Sequence, residues 1–176
     1  ILRKKTPGKI KPFYAGRSFW PLWAQAGYIG PEAESLLFYL GSAQLDGLNP
    51  KGYKVGDLRK AIDESRGGDP KKIANAELKL SRAFAKYVID LRKKPQGGLA
   101  YADPALAPQK LREENVLRAA AMPQPLALYM TSMGWMSPHY VRMRNMLSRA
   151  AAQGLVAEAQ ARIRLNLERA RVLPGP

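Results

Sequence analysis

The apolar spacing of residues 70–91 is the feature that most constrains the fold of this chain. The apolar residues of this segment recur three and four positions apart over about five turns of a helix. They are Ile73, Ala76, Leu80, Phe84, Tyr87, Val88 and Leu91. Asp69 can cap the start of a helix, and Pro70 suits its first position. The spacing predicts a long amphipathic helix with one face in a core.

Shorter segments with the same spacing predict further helices. Their approximate ranges are 31–47, 55–66, 108–121, 124–134, 138–153 and 156–172. Gly47, Gly67 and Gly68 are typical of helix ends, and the Pro- and Gly-rich stretch 93–108 indicates a loop. No segment alternates apolar and polar residues well enough to predict a strand. The fold class is therefore predicted to be all-α, a compact bundle of about six to eight helices.

The chain opens with a segment that is strongly basic. Its cations are Arg3, Lys4, Lys5, Lys9, Lys11 and Arg17, with no acidic residue among the first 17. Pro7, Gly8 and Pro12 interrupt a regular helix, so we predict an extended basic N-terminal arm over residues 1–12. A helical domain is predicted over 13–173, followed by the start of a linker at 174–176. The arm can be a solvated terminus or a surface that contacts a polyanion.

The overall charge indicates an anionic partner. The 176 residues include 29 Lys and Arg against 14 Asp and Glu, a formal net charge of +15. Nucleic acid, acidic membrane lipid and anionic cell-wall polymer are the common partners of such a chain. Charge alone does not choose among them.

Several kinds of chemistry are excluded by the composition. Cysteine is absent, which removes thiol nucleophiles and cysteine-ligated metals. His139 is the single histidine, and no Gly-rich phosphate loop is present. The neighbouring acidic pairs Glu32 with Glu34, Asp63 with Glu64, and Glu113 with Glu114 are interpreted as solvated helix faces. We assign no catalytic residue and expect neither metal nor cofactor.

Six segments in order resemble the scaffold domain of the large Gram-negative murein L,D-transpeptidases. They are Phe13-Tyr14 with Arg17 and Pro21-Leu22-Trp23; Leu36, Leu40 and Ala43 leading to Gly47-Leu48-Asn49-Pro50 and Tyr53; Ala76-Glu77-Leu78 with Leu80, Ser81, Ala83, Tyr87, Asp90 and Leu91; Tyr101, Asp103, Pro104 and Leu106; Pro138, Tyr140, Arg144 and Leu147; and Arg162-Ile163 with 166–171 and Leu173-Pro174. The most specific is Asn166-Leu167-Glu168-Arg169. The likeness extends from Phe13 to Pro174.

The resemblance implies a non-catalytic part of an enzyme that crosslinks peptidoglycan. In that family a cysteine attacks a tetrapeptide stem between its third and fourth residues, and an amine of another stem accepts the acyl group to form a 3→3 crosslink. Structural roles are implied for Tyr14, Trp23, Gly47, Leu48, Pro50, Tyr53, Glu77, Tyr87, Asn166, Glu168 and Arg169. The implied partners are peptidoglycan, a catalytic domain downstream and other cell-wall synthesis proteins. The implied location is the periplasm, with an inner-membrane anchor outside this sequence.

Three departures from the family pattern are present, and the first two limit what can be carried over. The peptidoglycan-binding module commonly inserted before the last segment is replaced by a short stretch, about 150–161. The Ser-His-Gly-Cys stretch of the catalytic domain is absent, and Lys93-Lys94-Pro95 stand where a glycine is customary. Two alternatives stay open: a basic helical protein that binds nucleic acid, and a free-standing docking module that binds neither polymer.

Overall fold

A computed structural model describes residues 1–93, 111–122, 124–154 and 156–171. Within these ranges the helices are α1 (Leu2–Lys5), α2 (Lys11–Gly16), α3 (Glu32–Gly41), α4 (Val55–Ser65), α5 (Pro70–Leu91), α6 (Glu113–Ala120), α7 (Leu126–Thr131), α8 (Pro138–Ala152) and α9 (Ala157–Ala170). Short 3-10 helices span Gly8–Ile10, Ala43–Asp46 and Pro50–Tyr53. The predicted all-α compact bundle is confirmed.

The central element is α5, the helix that the apolar spacing predicts most strongly. It begins as expected, because Oδ1 of Asp69 accepts a hydrogen bond from the backbone N–H of Lys71 at 2.8 Å and Pro70 occupies the first turn. Leu80, Phe84 and Leu91 are fully buried. The helix packs against α3, α4 and α6, so its apolar face lies at the centre of the core.

Aromatic rings fill the space between α5, α3 and α7. Trp135 lies at the centre of this cluster, with ring centroids 5.2 Å from Phe84, 5.4 Å from Tyr39 and 5.7 Å from Tyr129. Most of these pairs meet edge to face, the arrangement that the ring quadrupole favours. The cluster therefore fixes the relative positions of three helices by shape as well as by buried area.

Several helix bounds differ from the sequence-based prediction for local reasons. The helix predicted over 31–47 ends at Gly41, and a 3-10 helix continues to Asp46, where Gly47 turns the chain with φ 70°. The helix predicted over 124–134 ends at Thr131, before Met133 adopts φ 50°. The predicted loop from 94 to 108 and the predicted start of the next helix at 108 lie outside the described residues.

A small β-hairpin is present where no strand was predicted. Strands β1 (Ala24–Gln25) and β2 (Tyr28–Ile29) pair antiparallel, with Ala24 opposite Ile29. Ala26 and Gly27 connect them with φ 48° and 88°, the pattern of a two-residue hairpin turn. Strands of two residues are too short to produce a visible alternation, so the sequence pattern could not reveal them.

The predicted extended arm is wrong, because residues 1–12 are folded onto the domain. They form α1, the 3-10 helix Gly8–Ile10 and the start of α2, and Ile10 is fully buried. Pro7 and Pro12 lie at the starts of helical turns, where a missing N–H leaves no hydrogen bond unmade. The prolines thus separate short helices without extending the chain.

The predicted linker at 174–176 and the end of the predicted helical domain at 173 lie outside the described residues. In the described ranges, none of the helices combines the length and the apolar character that a membrane crossing requires.

The aromatic cluster predicts a large difference between two glycine substitutions. A Cβ at Gly134 would overlap the ring of Tyr129, whereas a Cβ at Gly56 would meet nothing within 4 Å. We expect Gly134→Ala to lower the free energy of unfolding by about 1–3 kcal/mol through overpacking. The control Gly56→Ala in α4 should be neutral or stabilising by up to about 1 kcal/mol. Urea unfolding followed by circular dichroism measures both, and equal stability of the two variants would contradict the packing described.

Candidate functional site

Glu77 on α5 holds the segment that follows α2 against the core. Its side chain is fully buried. Oε1 accepts hydrogen bonds from the Tyr14 hydroxyl at 2.6 Å and from the backbone N–H of Leu22 at 2.6 Å. Oε2 accepts from the backbone N–H groups of Trp23 at 2.9 Å and Ala24 at 3.0 Å. One carboxylate therefore satisfies three consecutive N–H groups that no helix supplies with acceptors.

The neighbours of Glu77 extend this contact into a network. The Ser81 hydroxyl, one turn further along α5, accepts a hydrogen bond from Nε1 of Trp23 at 2.9 Å and lies 2.7 Å from the Tyr14 hydroxyl. Burial raises the pKa of Glu77, and the hydrogen bonds from Tyr14 and the three N–H groups oppose that rise. Burial also raises the pKa of Tyr14, so its phenol stays protonated and donates at neutral pH.

Asp46 forms a second buried carboxylate site, at the end of the 3-10 helix after α3. Its Oδ1 accepts from the Tyr140 hydroxyl and from Nε of Arg144, both at 2.7 Å. Its Oδ2 accepts from the Tyr87 hydroxyl at 2.8 Å and from Nη2 of Arg144 at 3.1 Å. Arg144 is only 2% exposed, so this is a buried two-pronged ion pair. It connects α5, α8 and the turn after α3.

The last helix, α9, attaches to the same turn. Nη1 of Arg171 donates to the backbone carbonyl of Asp46 at 3.1 Å, and Nη2 of Arg171 pairs with Glu168 at 3.1 Å. A Cβ at Gly47 would lie 2.6 Å from Oε1 of Glu168, and Gly47 also has φ 70°. The left-handed backbone conformation therefore favours glycine there, and a larger residue would also displace the Glu168 carboxylate.

Tyr53 and Asp90 form a third, more exposed contact. The Tyr53 hydroxyl donates to Oδ2 of Asp90 at 3.1 Å, and Lys86 and Lys93 pair with the same carboxylate at 2.6 and 2.7 Å. Partial burial acts to raise the pKa of Asp90, but the hydrogen bonds from the two lysines hold it below its ordinary value. Nζ of Lys86 also lies 4.4 Å from the centroid of the Tyr53 ring.

None of these carboxylates is arranged for acid–base or metal chemistry. Glu77 and Asp46 are buried, and each of their carboxylate oxygens already accepts two hydrogen bonds. Among the described residues, no three His, Cys, Asp or Glu side chains come together as metal ligands do. His139 is exposed near the start of α8. The described interior is therefore built to hold helices together.

The structure brings together most of the residues that the sequence singled out for structural roles. Tyr14, Trp23 and Glu77 meet at one site, and Gly47, Tyr87 and Glu168 lie at or beside Asp46. Leu48 packs against the core and Pro50 begins a 3-10 helix that contains Tyr53. Asn166 and Arg169 have exposed side chains on α9.

The basic N-terminal residues are distributed over three short helices. Arg3, Lys4 and Lys5 lie on α1, Lys9 on the first 3-10 helix and Lys11 at the start of α2, all exposed. Arg17 is half-buried: Nη2 donates to the carbonyl of Pro21 at 2.9 Å, and its guanidinium lies 5.1 Å from the Phe13 ring centroid. Contact of these six cations with a polyanion stays a prediction.

Sequence reasoning missed Asp46 as the centre of a buried site, although a signal was present. Asp46 follows Leu36, Leu40 and Ala43 at helical spacing, and Arg144 lies between Tyr140 and Leu147 in the same way. A charged residue in an apolar stripe indicates a buried ion pair, because an unpaired buried charge is too costly.

A basic groove beside α5 was also missed. Its volume is about 670 Å³, and its charged lining comprises Lys9, Lys54, Lys79, Arg82, Lys86 and Lys93 with Asp57, Asp90 and Glu113. The signal was the spacing of lysines on α5 and just after its end: Lys72, Lys79, Lys86 and Lys93 follow one another every seventh residue.

The described residues thus form a helical domain whose buried carboxylates connect its segments and whose cations lie mostly on the surface. A family model described as "Scaffold domain" matches residues 8–147, and the chain belongs to that family. No curated protein and no solved structure matches the chain.

The geometry at Glu77 predicts a strong effect of a nearly isosteric change. In Glu77→Gln, the amide N–H₂ must face at least one backbone N–H in either orientation, because of the four donors only the Tyr14 hydroxyl can turn to accept a hydrogen bond. We expect a loss of about 1–3 kcal/mol in the free energy of unfolding, the cost of leaving one buried group unpaired. The control Glu34→Gln removes an exposed pair with Arg59 and should cost at most about 1 kcal/mol. Urea unfolding measures both, and similar losses would contradict the assigned role.

The Asp46 ion pair predicts a second contrast within one helix. Arg144→Met leaves the Asp46 carboxylate buried without its cation, which should cost about 3–5 kcal/mol. Arg142→Met, two residues earlier on α8, changes an exposed side chain and should stay within about 0.5 kcal/mol. Thermal unfolding followed by circular dichroism compares them. A small effect of Arg144→Met would show that the pair contributes little.

Proposed function

We propose that this chain is the non-catalytic scaffold part of a periplasmic L,D-transpeptidase that takes part in peptidoglycan crosslinking. One observation carries the proposal: residues from separate segments of the sequence resemblance lie together at two buried sites. Tyr14, Trp23 and Glu77 come from two of the segments and share one carboxylate. Tyr87 comes from the same segment as Glu77 and Arg144 from a further one, and both bind Asp46. Membership of the scaffold-domain family agrees with this proposal.

In this function the chain supplies position and the catalytic domain supplies chemistry. A cysteine nucleophile is absent from the sequence, so the attack on the stem peptide belongs to a downstream domain. The chain would hold that domain in place and dock other cell-wall synthesis proteins. The hydrogen bond from Arg171, at the end of α9, to the Asp46 carbonyl supports such a role, because it attaches the last described helix to the bundle.

The net charge of +15 supports direct contact with the cell wall. Peptidoglycan stems carry carboxylates, and exposed lysines and arginines attract them over about 10 Å at moderate salt. Under this proposal Arg3, Lys4, Lys5, Lys9, Lys11 and Arg17 contribute salt-dependent affinity for murein. No cofactor is required for such a contact.

The proposed function is tested in the bacterium that carries the gene. Deleting the gene should reduce the 3→3-crosslinked muropeptides that are resolved by chromatography of digested sacculi. The intact gene should restore them, and a copy without codons 8–147 should not, provided that immunoblotting shows that both products accumulate. An unchanged crosslink profile after deletion would overturn the proposal, as would full rescue by the shortened copy.

A further inference from the structure

The exposed face of α5 carries a regular row of cations. Lys72, Lys79, Lys86 and Lys93 are exposed and recur every seventh residue, with Arg82 on the same face between two of them. Seven residues advance a helix by about 10 Å and return to nearly the same side. The row therefore carries a few separated cations along one side of α5, and its last two members, Lys86 and Lys93, share the Asp90 carboxylate.

Part of this row lines the groove of about 670 Å³ described above. The opposite side of the groove is formed by the 3-10 helix Pro50–Tyr53 and the start of α4, which bring Lys54 and Asp57 towards α5. Ala83 and Ile89 add partly exposed apolar surface between the charges. The groove is thus elongated along α5, with charged walls and an apolar strip.

Only some of the charges in the groove are already paired. Asp90 holds Lys86 and Lys93, and Lys9 lies 3.8 Å from Glu113. Within the described part of the chain, Lys54, Lys79, Arg82 and Asp57 form no ion pair. Three cations and one carboxylate are therefore available to a ligand of mixed charge.

This arrangement fits a sparsely charged ligand better than a nucleic acid. Duplex DNA carries one negative charge about every 1.7 Å along its axis, much more densely than the cations of α5. The carboxylates in the groove would also repel a row of phosphates. A peptidoglycan stem instead carries a few carboxylates and one free amine, and stems are attached at intervals along a glycan strand.

We propose that the groove between α5 and the start of α4 binds peptidoglycan stem peptides, with Lys54, Lys79 and Arg82 pairing with stem carboxylates and Asp57 with the stem amine. This inference rests on the proposed function and moves the main murein contact from the N-terminal segment to α5. Arginine can hold a carboxylate with two parallel hydrogen bonds, while the lysines act as point charges.

Co-sedimentation of the 176-residue chain with purified sacculi at low salt tests the proposal. The groove variant is Lys54→Gln, Lys79→Gln and Arg82→Gln together. The charge-matched control is Lys71→Gln, Arg118→Gln and Arg142→Gln, three exposed residues outside the groove. A second comparison variant, Arg3→Gln, Lys4→Gln and Arg17→Gln, reports on the N-terminal cations. Circular dichroism melting checks that all variants fold.

We expect the groove variant to raise the apparent Kd for sacculi roughly tenfold, the combined effect of three exposed ion pairs of ordinary strength. The other two variants should change it about threefold or less. Sacculi stripped of stems by an amidase should bind the groove variant and the unsubstituted chain alike, because the ligand of the groove is then gone.

Two results would overturn the inference. The first is equal binding of intact sacculi by the groove variant and its charge-matched control. The second is tighter binding to duplex DNA than to sacculi, weakened most by the groove variant and falling steeply with salt, which would assign the groove to nucleic acid. Either result combined with a loss of 3→3 crosslinks on gene deletion leaves the proposed function standing, so the two failures are distinguishable.

Discussion

The arrangement of this domain depends on the hydrogen bonds that the buried carboxylate of Glu77 accepts from the segment after α2. A carboxylate in a helical core is tolerated only when its oxygens accept enough hydrogen bonds to replace water. Glu77 meets that requirement with the Tyr14 hydroxyl and three consecutive backbone N–H groups. Those N–H groups belong to a segment without helical hydrogen bonds of its own. The carboxylate and the N–H groups therefore satisfy each other's hydrogen bonds. If residues 22–24 separated from α5, the carboxylate and the three N–H groups would all lose their partners.

Asp46 is a second buried carboxylate whose two oxygens accept hydrogen bonds from separate helices. There the donors are two phenols and a guanidinium, and burial raises the pKa of Tyr87 and Tyr140 so that both hydroxyls remain donors. Arg171, at the end of α9, donates a hydrogen bond to the backbone carbonyl of Asp46. This arginine lies outside residues 8–147, the range that the family model matches. The last described helix is thus tied to the family domain by a polar contact at its centre, which is suited to the positioning role proposed for this chain.

The buried and the exposed charged groups of this domain have different roles. The buried carboxylates of Glu77 and Asp46 accept two hydrogen bonds on each oxygen, so they specify which segments meet. The exposed lysines and arginines outnumber the carboxylates that pair with them, so the remaining cations can attract an anionic polymer. Lys86 and Lys93 are exposed and line the groove, but they already pair with Asp90. The proposed contact with stem peptides uses the neighbouring cations that have no such pair.

The sequence by itself determined the helices, because their spacing and caps are local. The stripe from Ile73 to Leu91 and the Asp69 cap predicted α5 almost to the residue. Tertiary structure alone decided the rest. The first 12 residues fold because Ile10 finds a core to enter, and Asp46 is a centre because Tyr87, Tyr140 and Arg144 converge on it. The groove exists because α4 packs against α5, so that Lys54 and Lys79 line the same cavity. Local periodicity specifies which face of a helix is buried, whereas packing across distant segments decides which charged groups meet.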